Sequence, residues 1–166
     1  CGLAAIELCG VHVDFKDRGS VAAAVRTYRD AGVAIVSAGV NGISGDEAGD
    51  RPLFEFVKAA RAASMSVDFG LDGLPARLAS AERLAAEYDV RLGIHNHGGR
   101  HWLGSSQALR WVFSQTGPRI GLSLDTAWAM DAGEDPVKMI EEFDSVLPRV
   151  AALKPDKVPW LGPVTM

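Results

Sequence analysis

The chain has 166 residues, 48% of them hydrophobic, and a formal net charge of −4. That is material for one ordinary globular domain with a single sizeable core. Lys and Arg are scattered rather than clustered, which argues against a general nucleic-acid or membrane-surface role. No run approaches the roughly 20 apolar residues of a membrane span.

Cys1 and Cys9 are too few for a disulfide framework and sit among apolar residues, where free thiols pack as small hydrophobes, so a reducing cytoplasmic setting is expected. The opening residues lack the basic segment of a signal peptide. They also lack an initiator Met, so the chain is expected to begin inside a longer protein.

In chain order, Ala4 to Leu8 reads as a short strand, followed by a polar loop over 11–19. Ser20 is expected to cap a helix carrying Val21, Val25 and Tyr28 on one face, with Gly32 at its left-handed C-terminal end. Val33 to Ala38 is the second strand. The Gly-, Asp- and Asn-rich stretch 39–51 is expected to be a rim loop before a helix starting near Pro52. Met65 to Phe69 is a third strand, and Pro75 to Tyr88 a long helix with Leu78, Ala81 and Ala85 on one side.

Arg91 to Ile94 is an apolar run ending in His95-Asn96-His97, and Ile120 to Leu124 is another ending in Asp125; both read as fully buried strands. Between them, Ser105 or Ser106 caps a helix that Gly117-Pro118 stops. Asp135-Pro136 starts a last helix, and Val150 to Leu153 a last strand. The expected sum is six strands alternating with five helices.

Glu7, Ser37, Asp68, His95, Asp125 and Leu153 stand at corresponding strand ends, spaced 27–31 residues apart. That is the length of one strand–helix unit of a parallel sheet, either a barrel or a doubly wound sheet. No Gly-x-Gly-x-x-Gly follows the first strand and there is no P-loop, which weighs against a nucleotide-binding doubly wound fold. Parallel strands point their carboxyl ends at one rim, so these polar residues are expected to face one another. A His, Asn, His and Asp set suits a divalent metal.

Three segments, Ile94-His95-Asn96-His97-Gly98-Gly99, Gly121-Leu122-Ser123-Leu124-Asp125-Thr126-Ala127-Trp128 and Ala132-Gly133-Glu134-Asp135-Pro136, together resemble the xylose-isomerase-like TIM barrels, the sugar phosphate isomerase/epimerase group. Gly2 to Leu8 is similar to that group's second strand. The resemblance implies a parallel (β/α) barrel of the TIM type, here incomplete, over residues 1–154, with an irregular tail at 155–166. It also implies a divalent metal (Zn, Mn, Co or Mg) held at strand ends.

The group's fifth-strand Glu falls on His95 and its sixth-strand Asp on Asp125, the two expected metal ligands. Its seventh-strand His has no counterpart in the stretch 149–156, and its eighth strand, with the last Glu, has no match, so metal binding is expected to be weak.

Glu7 and Lys154 are the catalytic candidates, Lys154 to neutralise an enolate-like intermediate; for Glu7 a salt bridge to a rim Arg is the competing reading. His12, Asn96, His97, Arg100 and Trp128 are the substrate-binding candidates. The competing readings are a solvated loop for His12 and Arg100 and ordinary packing for Trp128 and the histidines.

The function so implied is a sugar or sugar phosphate isomerase or epimerase. The alternatives are a non-catalytic barrel fragment, or a metal-dependent hydrolase or endonuclease on the same scaffold. The expected partners are a small sugar-type molecule and a second copy of the chain, because open sheet edges and apolar residues such as Ile6 and Leu8 call for a cover.

Overall fold

The computed structural model describes residues 2–147. The expected strand at 150–153, Lys154 and the tail lie outside them. All strand pairs are parallel and neighbours follow the sequence: β1 (Ala5–Leu8) pairs β2 (Ala34–Ala38), and β3 (Asn41–Ile43), β4 (Ser64–Phe69), β5 (Arg91–His95) and β6 (Ile120–Ser123) pair in turn. The helices are α1 (Arg18–Asp30), α2 (Glu47–Ala59), α3 (Leu74–Tyr88), α4 (Ser106–Gln115), α5 (Thr126–Asp131) and α6 (Pro136–Glu142). This is a partial TIM barrel, an α/β fold in which, apart from the direct step from β2 to β3, helices return the chain to the start of the next strand.

In-register neighbours of a parallel sheet share a face and successive residues alternate, so the pairings sort the side chains. Met65, Leu92 and Ile120 form one row and Val67, Ile94 and Leu122 the next, all buried in the hydrophobic core. The row between them is Ser66, Gly93 and Gly121, on the opposite face. The apolar runs before His95 and Asp125 are therefore two-faced, with glycine on the inner side. Leu8 is fully buried in the same core and Ile6 packs against it, so neither is the exposed interior residue expected from an open edge.

Local chemistry moves several element ends. Asp17, not Ser20, caps α1, its carboxylate accepting from Gly19 N at 2.8 Å, while Ser20 Oγ accepts from Asp14 N. Gly32 adopts φ +71 just past the helix, as read. The second strand resumes as β3 after Gly39, where a Cβ would lie 2.6 Å from that of Ser66.

The rim loop expected over 39–51 is largely structured. Asp46 caps α2, which starts at Glu47 and carries Pro52 inside it. The buried Asp50 carboxylate accepts from Ser44 N, Ser44 Oγ and Gly45 N at 2.8–3.1 Å. Those bonds fold the loop onto the first helical turn, and an acidic first turn is favourable at a helix N-terminus.

Helix α5 was not expected. Asp125 caps it, accepting from Trp128 N at 3.0 Å. No helix among the described residues is long and apolar enough to cross a membrane.

Candidate active site

The carboxyl ends of β4, β5 and β6 bring together Asp68, His95, His97 and Asp125. His95 Nε2 lies 3.8 Å from Asp125 Oδ2, and His97 Nε2 lies 3.5 Å from Asp68 Oδ2. The two imidazole centroids are 5.1 Å apart, which puts His95 and His97 on one side of the chain. All four side chains keep partial exposure, between 19% and 34%. The result is two histidine–carboxylate pairs side by side, each at ion-pair distance without a formed hydrogen bond.

The supports are specific. Asn96 points the other way and is fully buried; its Nδ2 donates to Asp125 O at 2.9 Å and its Oδ1 accepts from Asp125 N at 2.6 Å. Both ends of its amide are thus used to fix the residue that carries the second carboxylate. Gly42 pairs with Asp68, and a Cβ there would sit 3.2 Å from Asp68 Oδ1, so the missing side chain leaves that carboxylate its room.

Below the rim, Glu7 Oε2 accepts from Ser66 Oγ at 3.5 Å, spanning β2 from β1 to β4. Glu7 therefore meets the inner face of β4 two residues before Asp68.

The other candidates distribute unevenly. His12 is exposed in the loop after β1, its Nδ1 3.2 Å from Cys9 Sγ. Arg100 is exposed on the loop after β5, followed by a short 3-10 turn, Trp102–Gly104. His101 caps that turn, its Nδ1 accepting from Leu103 N at 3.2 Å, and its ring stands 4.4 Å from that of His97. Partial desolvation of its ring, then the neighbouring His97, hold His101 below the usual imidazole range against the pull of Asp68, although the residue as a whole is exposed.

Trp102 Nε1 donates to Phe69 O at 2.9 Å, tying this loop to the end of β4. Trp128, on α5, lies against Gly98, where a Cβ would fall 2.4 Å from an indole carbon. Its exposed indole flanks the loop that follows His97.

Sequence reasoning placed Asp68 at a strand end without giving it a partner. The available signal for Asp68 was its position one strand before His95, with glycine on the preceding strand.

The donor set was tested against a divalent metal. His95 Nδ1 and His97 Nε2 are buried without hydrogen-bond partners, so free nitrogen is present. Among the described residues, however, no group of three or more His, Cys, Asp or Glu side chains is arranged to hold an ion. These residues do not fit a complete metal centre.

Structural comparison agrees with the fold. The probable 3-DHS dehydratase AsbF involved in petrobactin synthesis from Bacillus anthracis is similar at TM-score 0.66 with 13% identity, covering 87% of this chain and 61% of that one. A D-tagatose 3-epimerase-like protein is similar at TM-score 0.69 with 12% identity, covering 88% and 64%. A xylose isomerase domain protein from Planctomyces limnophilus is similar at TM-score 0.65 with 12% identity, covering 87% and 61%.

These neighbours show the fold, a TIM-type barrel, and the chain spans less than two thirds of the length of these three. No protein-family model matches the chain, and no curated protein matches it.

Proposed function

We propose that this chain carries a proton-transfer site of the sugar isomerase or epimerase kind, acting on a small polyhydroxylated substrate or its phosphate. The observation that carries this reading is the placement of two histidine–carboxylate pairs, 5.1 Å apart between imidazoles, at the strand-end rim of a TIM-type sheet. A shared fold is only analogy; the paired acid–base groups are the chemical argument.

Isomerisation, epimerisation and dehydration of hydroxy-carbonyl compounds share a first step, removal of a proton from the carbon beside the carbonyl. In this reading His97 takes that proton while the C–H electron pair moves into the carbonyl, giving an enolate-type intermediate. His97 then returns the proton to the former carbonyl carbon, while the hydroxyl on the first carbon passes its proton to the enolate oxygen and becomes the new carbonyl. An imidazole suits both directions because the same ring nitrogen can accept a proton and later give it back.

Asp68 and Asp125 are the carboxylates that face the two rings, and Asn96 acts through Asp125. Trp128 offers a flat apolar wall for a sugar face, and Arg100 a cation for a phosphate. Glu7, beside Ser66, is placed to meet the far end of a substrate. His95 and Asp125 are two donors short of a full metal shell, so this reading gives the metal no step.

The test is deuterium exchange followed by proton NMR, with a panel of aldoses, ketoses and their phosphates in D2O. The expected result is exchange at the carbon beside the carbonyl, falling about 100-fold or more in His97→Gln or Asp68→Asn. Folded protein that exchanges none of the panel, with Zn, with Mn or with a chelator, would sink the proposal. Calorimetric titration with Zn and Mn should show only weak binding. Tight one-to-one binding lost in Asp125→Ala would show that the donor set has been misread.

A further inference from the structure

Away from the rim, a groove runs along α1 and α2. Two clefts of about 450 Å3 and about 380 Å3 both touch Val25, Arg29 and Ala59, so they lie next to each other along α1 and together make this channel. Its floor includes Val25, Phe56 and Ala59. Helix α1 has an apolar stripe but no fully buried residue. Arginines rim the channel: Arg18, Arg26 and Arg29 along α1, with Arg61 at the far end, against one carboxylate, Glu55. Arg29 pairs only with adjacent Asp30, and among the described residues Arg18 and Arg26 have no carboxylate partner.

The opposite chemistry sits on α6. Val137 and Ile140 are 57% and 45% exposed and stand one helical turn apart. Glu141, exposed, shares their face, and exposed Asp144 lies just past the end of the helix; the helix's one exposed cation, Lys138, stands beside Asp135 at 4.0 Å. An apolar ridge edged by acids thus matches an apolar groove edged by arginines, the pattern of helix-in-groove recognition. The two surfaces belong to opposite ends of the strand order, α1 beside β1 and β2 and α6 after β6.

We infer that a second copy of this chain docks its α6 ridge into the groove between α1 and α2. The contact is heterologous: each copy still presents one free groove and one free ridge, so assembly grows with concentration into rings or chains. Both halves of the match lie on one sequence, which is why the occupant is a second copy rather than an unrelated partner. The charged edges set the sign of the salt dependence, since screening weakens exposed opposite-charge contacts.

Sedimentation of the full chain tests this. The average mass should rise with concentration from that of one chain, 17.6 kDa, and fall back on adding salt. Arg26→Glu, which spoils the groove, and Ile140→Lys, which spoils the ridge, should each weaken association by about tenfold or more. Circular dichroism confirms that each variant is folded; Arg18→Glu and Val137→Lys replace a variant that is not.

Mixed in equal amounts, the two variants should form a pair of twice the single-chain mass, because one intact groove meets one intact ridge. A wild-type chain that stays at single mass overturns the inference, whatever else the groove holds. So do variants that associate like wild type, or a mixture that stays unpaired.

Discussion

The two faces of the same strands are built for different ends. On β4, Met65, Val67 and Phe69 turn to the helices and are almost wholly buried, while Ser64, Ser66 and Asp68 turn the other way. On β5 the outer residues are Leu92 and Ile94, and the inner ones are Gly93 and His95. The outer face carries most of the apolar burial and hence most of the stability. The inner face is small and polar, and ends in the ionisable groups. A sheet divided in this way should separate the two properties under mutation.

The largest effect belongs to the outer face. Leu92→Ala removes a fully buried side chain and should cost about 2–5 kcal/mol in urea unfolding, with the slope of the transition unchanged. A loss below about 1 kcal/mol would mean the outer layer is loosely packed, and the contrast between the faces would fail.

Asn96→Ala tests the joint between the faces. It leaves Asp125 N and O without their side-chain partner, at about 1–3 kcal/mol for each group that water cannot reach. Deuterium exchange should fall alongside stability, because the same residue sets Asp125. Ser66→Ala, on the inner face, should stay within about 0.5 kcal/mol of wild type, since it removes only a long bond to Glu7. A large loss there would show that the inner face also carries structure.

The smallest effect is a pH dependence. His101 is held below its ordinary value of about 6.5 in the folded chain, by partial desolvation first and by His97 second. Above that value the ring is neutral in both states and contributes no slope. As pH falls below it, the unfolded chain takes the proton first, so stability declines and levels off only beneath the folded value. Protonation also removes the Nδ1 acceptor that caps Leu103 N. Thermal melts in steps from neutral to mildly acidic pH should show this decline, and His101→Gln should lack that portion of it.

Much of the fold could be read along the chain because its signals are local. Gly32 past α1, Pro75 at the start of α3 and Asp135-Pro136 before α6 each dictate a helix end through φ or a capping carboxylate. The even spacing of strand-end residues gave the parallel order for the same reason, since one strand and one returning helix need a fixed length. The stretch before α2 was misread because Pro52 looked like a helix start; the buried bonds from Ser44 and Gly45 to Asp50 start it earlier. Asp125 was read as a ligand ahead of a turn cap, and in the structure it caps α5.

The sequence by itself determined which residues reach the rim: His95, His97, Asp68 and Asp125 follow from strand period and unit length. Only the tertiary structure decided who faces whom there. Pairing His97 with Asp68 and His95 with Asp125 depends on register between strands, on Gly42 leaving space beside Asp68, and on Asn96 gripping Asp125 across 29 residues of chain. Such distances are set by packing of the whole sheet, and no local run of residues encodes them.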